Sequence, residues 1–309
     1  MVTVQHISKF SKEDSSAITI GTFDGVHIGH KKILERLINN AKVLNLKATV
    51  LTFFPHPRMV LQQDADIKLL NTVAEKAKIL EEIGLDCLIV HPFTKEFSRL
   101  SATDFVRDIL VNSLNTKKII IGYDHRFGRN RNANINDLIA FGNSLDFDVE
   151  EIPAQEINDV SVSSTKIRKA LQDGDIAKAN KYLGYKYMLT GNVVKGKGIG
   201  KQLNFPTANI QIAESYKLIP KEGAYVVSSI IDGVLVGGMM NIGYNPTVSG
   251  TEQTIEVHFF NYEANLYGKK LQIDILSRLR DEQKFDSIAT LKLQLKKDKE
   301  TALADLGLH

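Results

Sequence analysis

The chain has 309 residues, of which 43% are hydrophobic and 24% charged, and a formal net charge of +3. That length accommodates two domains of roughly 150 residues each, and the composition is ordinary for a globular protein. So small a charge argues against a nucleic-acid surface, which needs clustered basic residues, and is compatible with phosphorylated ligands. The single cysteine, Cys87, excludes an internal disulfide framework and a cysteine-rich zinc site. Within the apolar run CLIV it reads as a small buried side chain. The N-terminal MVTVQHISKFSKEDSSA has no apolar core of the kind a secretory signal carries, and no stretch approaches the ~20 apolar residues of a membrane span. The expected setting is a reducing cytoplasm, with small-molecule partners and neither nucleic acid nor membrane.

From residue 15 to about 183, short apolar runs alternate with amphipathic segments. AITI (17–20) predicts a strand and the segment from Gly29 to about Leu44 a helix. ATVLTFF (48–54) predicts a second strand, closed by the turn Pro55-His56-Pro57. Thr72 and Glu75 have capping-box spacing for a helix that runs to Gly84. CLIV (87–90) is a third strand, Ser101 caps a helix through about Val111, and KKIIIG (117–122) is a fourth strand. A helix near 136–143 leads to a fifth strand around 147–152. Continuous apolar strands separated by helices imply a parallel sheet covered on both faces, a Rossmann-like α/β unit.

After two short helices, 164–172 and 175–183, the pattern changes near residue 185. MLTGNVV, AYVVSSI, VLVGGMMNI, TIEVHFF and LQIDILS are strand-like, and Asp232-Gly233 is a hairpin signal. Closely spaced strands of this kind predict a small antiparallel β-barrel. A last helix runs from Asp286 to about Leu306, with Phe285, Ile288 and Leu291 on its apolar stripe. The domain boundary is therefore expected between 184 and 185.

Chemistry concentrates in a few stretches. In ITIGTFDGVHIGHKKIL, His27 and His30 lie three residues apart where a helix opens, so they can share one side of a turn. A helix start offers free N–H groups and the positive end of a dipole to a phosphate, and two imidazoles beside it can donate to a polyphosphate whose charge grows as a bond breaks. SSTKIR (163–168) starts another helix, where the serines, free N–H groups and Arg168 can hold phosphate oxygens; plain helix capping by Ser163 or Ser164 explains the same residues. GYDHRFGRNR (122–131) follows the fourth strand, at the carboxyl end where ligands of open α/β sheets sit. In GKGIGKQLNFPTANI (196–210), the glycines allow close backbone approach to a phosphate, although a flexible hairpin loop would read the same. Thr207 and Asn209 present hard oxygen ligands on one side of an extended chain, as a magnesium ion already bound to ATP requires. In TIEVHFF, alternation puts Ile255, Val257 and Phe259 on a core face and Glu256 and His258 on the other.

The set GTFDGVHIGH, TFFPHP, GYDHRFG and SSTKIR resembles the adenylyltransferase half of the bacterial bifunctional riboflavin kinase/FAD synthetase family, within the wider HxGH nucleotidyltransferases. GKGIGKQLNFPTANI, NIGYNPTV and EVHFFNYEANLYG resemble its riboflavin kinase half. The resemblance implies ATP-dependent phosphorylation of riboflavin to FMN by the barrel, and adenylyl transfer from ATP to FMN, giving FAD and pyrophosphate, by the first domain. It implies that Gly21, Phe23, Asp24, His27 and His30 contact ATP, with Ser163, Ser164, Thr165 and Arg168 closing from the other side. Pro55, His56, Pro57, Asp124 and Arg126 would shape the flavin and nucleotide pockets. In the second half, Glu256 would be the general base, Thr207 and Asn209 magnesium contacts, Gly196, Lys197 and Gly198 part of the ATP loop, and Arg280 a flavin-site residue. The chain departs from the family pattern at His125, where an aromatic residue is usual, in the loop RNRNAN, which lacks a glycine, and at Lys201, Asn204 and Asn261-Tyr262. Two other readings of the chain are an adenylyltransferase with an impaired kinase and a flavin-binding regulator without turnover.

Overall fold

The computed structural model describes residues 1–308 except 12, 63–65, 124, 154–161, 197, 199, 201–202 and 248–249, with backbone alone for 245–247 and 250–252. Asp124 and Lys197 thus lie outside the described residues. The chain divides into two units, Met1–Ser164 and Thr165–His309.

The first unit is a six-stranded sheet in the order β1-β4-β3-β2-β5-β6, parallel at every pairing. Its strands are β1 (Val2–Val4), β2 (Ser16–Ile20), β3 (Lys47–Phe53), β4 (Cys87–His91), β5 (Thr116–Gly122) and β6 (Asp148–Ile152). Five of these were expected from their apolar runs. The edge strand β1 is too short to be read from periodicity and exists through its pairing with Cys87–Ile89 of β4. Helices α1 (Ile28–Val43), α2 (Pro57–Leu61), α3 (Val73–Ile83), α4 (Ala102–Asp104) and α5 (Ile135–Leu145) connect them. One face of the sheet carries Ile18, Ile20, Leu51, Ile89, Ile119 and Ile121 into a core with Phe105, Leu110, Leu114 and Phe127. Helix α1 buries Leu34, Leu37 and Ala41.

Local signals bound these helices as the sequence implied. Thr72 Oγ1 accepts from Glu75 N at 3.1 Å while Thr72 N donates to Glu75 Oε2 at 2.9 Å, and Gly84 ends α3 at φ +97°. Ser101 caps α4, but from Phe105 to Val111 the helix is π-wound, a widening that side-chain spacing alone does not reveal. The strand order decides where a site can form. β3 and β4 lie to one side of β2 and β5 to the other, so the loops after β2 and β5 open a crevice at the carboxyl ends of the strands.

The second unit opens with α6 (Ser164–Asp173) and α7 (Ile176–Leu183). These helices pack on the barrel: Asn180 Nδ2 donates to Ile275 O at 3.0 Å, Tyr187 N donates to Asn180 Oδ1 at 2.7 Å, and Lys221 N donates to Leu171 O at 3.0 Å. The division by packing therefore falls some twenty residues before the compositional change near 185. The closed barrel has the order β10-β11-β8-β7-β12-β9, formed by β7 (Tyr187–Val194), β8 (Ala208–Gln211), β9 (Gly223–Ile231), β10 (Val234–Thr247), β11 (Gly250–Phe259) and β12 (Lys270–Arg280). Asp232 and Gly233 join β9 to β10 at φ +52° and +83°, the double positive φ of a tight hairpin.

The terminal helix α8 (Ile288–Asp305) covers part of the barrel's outer wall. Its buried stripe is Leu291, Leu295, Asp298 and Ala302, against Leu203, Phe205, Val226, Met239 and Phe260. Ile288, expected on that stripe, is 69% exposed in the first turn, and Phe285 precedes the helix with the Arg280 guanidinium over its ring. Arg280 makes a fork onto Asp298, with Nε at 3.0 Å and Nη2 at 2.8 Å from Oδ2. Asp298→Ala leaves that guanidinium without its carboxylate in a largely dry interface. The expected loss is about 3 kcal/mol, read as a lower midpoint for the second unit in thermal unfolding.

Candidate functional sites

In the first unit the site grows from the chain reversal after β2. Residues Phe23, Gly25 and Val26 all have positive φ, at +44°, +87° and +34°. Two of them are not glycine, so the surroundings must hold the turn. The Asp24 carboxylate, almost fully buried, accepts from Leu70 N at 2.9 Å, and Asp24 O accepts from Ser164 Oγ at 2.8 Å. Lys76 Nζ donates to Thr22 O at 2.6 Å, and so does Thr52 Oγ1 at 3.2 Å.

The turn delivers His27 to the N-cap of α1, where its Nδ1 accepts from His30 N at 3.3 Å. A neutral His27 ring therefore carries its proton on Nε2, which is left as a donor. The His30 ring stacks on it with centroids 3.6 Å apart and an interplanar angle of 13°. Burial pushes His27 down to about 4 in spite of Asp24, and holds His30 well below its usual value, helped by the charges of His27 and Lys76. Both imidazoles are thus neutral near pH 7 at the positive end of a helix dipole. His30 Nδ1 is buried without a hydrogen-bond partner among the described residues. A Cβ on Gly29 would come 3.3 Å from the His27 ring and 3.4 Å from Val162.

Other expected residues lie around the same sheet end. Phe54–Pro55 is a cis peptide, and His56 caps α2 by accepting from Arg58 N at 3.1 Å. Gly21 N donates to Leu51 O, tying the end of β2 to β3. The His125 ring lies nearly parallel to that of Phe127 with centroids 6.3 Å apart, and Arg126 is exposed. Ser164 meets the turn directly, whereas Thr165 and Arg168 follow on α6 as members of the second unit. Lys76, Thr22 and Thr52 were missed by sequence reasoning, because a lysine on an amphipathic helix normally reads as solvated.

In the second unit, β8 runs beside β11 so that Asn209 opposes Glu256. Thr207 Oγ1 donates to Glu256 Oε2 at 2.9 Å, which leaves the hydroxyl's lone pairs available. The register continues across the wall: Glu256 opposes Asn241 on β10, Asn241 opposes Ala224 on β9, and Ala224 opposes Arg280 on β12. Directly opposed residues share a face, so Asn209, Glu256 and Asn241 form one polar row, with Ala224 between it and Arg280. Asn241 was not singled out from the sequence; only this register marks it. The glycines have packing reasons: a Cβ on Gly196 would fall 2.1 Å from Asn209 Nδ2, and one on Gly200 2.3 Å from Phe205 O. A cavity of about 480 Å³ is lined by Gly196, Asn209, Lys217, Thr254 and Glu256, among others, within the range of small-molecule sites. Asn204 adopts φ +64°, a left-handed conformation that asparagine tolerates better than most side chains. Asn204→Gly is expected to leave turnover unchanged and to move stability by no more than about 1 kcal/mol, measurable as a small change in Tm.

Comparison with known proteins finds two family models, FAD synthetase over residues 9–166 and riboflavin kinase over residues 183–306. The chain is 37% identical over 302 residues to the bifunctional riboflavin kinase/FMN adenylyltransferase of Buchnera aphidicola subsp. Schizaphis graminum, covering 96% of both chains. It belongs to the bifunctional riboflavin kinase/FMN adenylyltransferase family. The Escherichia coli K12 member is 34% identical over 297 residues, covering 96% of this chain and 94% of its own. A crystal structure described as a macrolide-efflux protein from Streptococcus pneumoniae superposes with a TM-score of 0.87 at 30% identity, over 97% of this chain and 98% of that one. Among the described residues no helix here is long and apolar enough to cross a membrane. The chain is an enzyme with an FAD synthetase domain followed by a riboflavin kinase domain.

Proposed function

We propose that the family's two reactions are divided between the two sites, with residues 1–184 forming FAD and residues 185–309 forming FMN. The functional division differs from the packing division because Thr165 and Arg168, assigned to the first reaction, sit on a helix that packs with the barrel unit. The observation that carries the reading is the contact of Glu256 with Thr207 beside Asn209, set against the separate stack of neutral His27 and His30.

In the kinase reaction Glu256 takes the proton of the ribityl 5′-hydroxyl as that oxygen attacks the γ-phosphorus of ATP, with ADP as leaving group. Gly196, Lys197 and Gly198 approach the ATP phosphates, and Arg280, fixed by Asp298, faces the flavin. Thr207 Oγ1 and the Asn209 amide oxygen are hard donors suited to magnesium that keeps ATP oxygens and water in its shell. An ion held by Thr207 and Asn209 would supply charge neutralisation for the transferring phosphoryl group.

In the adenylyl transfer the FMN phosphate attacks the α-phosphorus of ATP and pyrophosphate leaves. His27 Nε2–H and the His30 ring face the polyphosphate, with Gly21, Phe23, Asp24, Ser163 and Ser164 around it, and Thr165 and Arg168 are assigned to the same nucleotide. Pro55, His56, Pro57, Asp124 and Arg126 form the flavin side. No side-chain nucleophile is needed, since positioning and charge stabilisation carry the step. The substrates are small molecules, and the enzyme acts in the cytoplasm without nucleic acid or membrane. Incubation with riboflavin, ATP and magnesium, followed by chromatographic separation, tests the scheme: FMN and then FAD are expected. FMN without FAD, or no FMN, overturns it.

A further inference from the structure

Lys76 is a buried cation that the scheme above does not use. It lies on α3, is 7% exposed, and its Nζ reaches Thr22 O at 2.6 Å and Thr52 Oγ1 at 3.5 Å. Among the described residues it makes no ion pair. Burying an ammonium against a carbonyl and a hydroxyl is unfavourable compared with an apolar side chain of the same length, so packing does not explain a lysine here.

We propose that Lys76 is a positioning residue of the adenylyl-transfer site, fixing the Thr22-Phe23-Asp24 turn and setting a buried positive charge beside the His27–His30 stack. This rests on the reading that those histidines face the ATP phosphates. Three observations carry it. The turn has non-glycine residues at positive φ and needs external ties; besides Thr52 on Thr22 O and Ser164 on Asp24 O, these are the Asp24 carboxylate on Leu70 N and Lys76 on Thr22 O. The last two ties come from one segment, 70–76, so the start of α3 grips the turn twice. Lys76 also acts on His30 through its charge. Burial lowers Lys76 to about 8 against the pull of Asp24, so it remains largely protonated at neutral pH. The charged or titratable groups that act on the pair are Asp24, His27 and Lys76. In a site shielded from solvent a fixed cation attracts polyphosphate with little screening, and it adds to the burial that holds His30 neutral.

The test uses the full chain with Lys76→Met, which removes charge and donor, and Lys76→Gln, which keeps a donor without the charge. FMN adenylylation is expected to fall about 10- to 100-fold in the Met variant, less than for a group touching the phosphates, with riboflavin phosphorylation unchanged as the measure of folding. In both variants the NMR titration midpoint of His30 is expected to move up, because a repelling charge is gone; a lysine whose charge does not reach the stack would leave that midpoint where it is. Full adenylylation in both variants, or an unmoved His30 titration, overturns the proposal. His30→Ala, assayed in parallel, separates the levels: if it keeps full adenylylation, the reading of the histidine site itself fails, whereas an inactive His30→Ala beside fully active Lys76 variants removes Lys76 alone.

Discussion

Glu256→Gln is expected to stop FMN formation while leaving the conversion of supplied FMN to FAD at its normal rate. The substitution preserves shape, and a glutamine oxygen can still accept the Thr207 hydroxyl that now lies 2.9 Å from Glu256 Oε2. What it removes is the oxygen that, under the proposed function, takes the proton of the attacking alcohol. Loss of a positioned general base costs about 10²–10⁴-fold in rate. Separate assays, riboflavin to FMN and FMN to FAD, give the answer; parallel loss of both activities would contradict separate sites. The register of the barrel strengthens the expectation, since Asn209 and Asn241 flank Glu256 on neighbouring strands and the change is therefore confined to one built polar row.

His30→Ala is expected to give the reverse pattern, with riboflavin still phosphorylated and FMN accumulating. The ring lies stacked at 3.6 Å on His27 and 5.0 Å from Phe23, so its removal loosens the partner imidazole and, under the proposed function, takes away a donor to the leaving pyrophosphate. A drop of about 10²–10³-fold in FAD formation matches the loss of one donor aimed at developing charge. Retained kinase activity shows that the chain has folded. Undiminished FAD formation would mean that the histidine pair does not face the reacting phosphates.

Much of the architecture was legible before any coordinates. The apolar runs AITI, ATVLTFF, CLIV and KKIIIG announced parallel strands, because a strand buried on both faces has no polar side to show. Thr72 with Glu75, and Asp232-Gly233, fixed a helix start and a hairpin through purely local hydrogen bonding and backbone preference. Other features were illegible for equally physical reasons. β1 is three residues long and is a strand only because β4 offers it an edge. The π-winding of 105–111 leaves no period that a short segment can display. Ile288 fits the apolar stripe on paper, yet the helix meets the barrel from Leu291 onward.

The sites divide in the same way. Sequence by itself determined the residue types: paired histidines at a helix start, Thr207 and Asn209 two apart on an extended chain, and Glu256 on an alternating strand, since these follow from spacing and local geometry. Tertiary structure alone decided which of them meet. Thr207 reaches Glu256 across 49 positions, Asn241 enters the same row only through strand register, and Lys76 turns inward to Thr22 across 54 positions. Such partnerships depend on how the chain returns upon itself, and long-range pairing leaves no periodicity in the segments it joins.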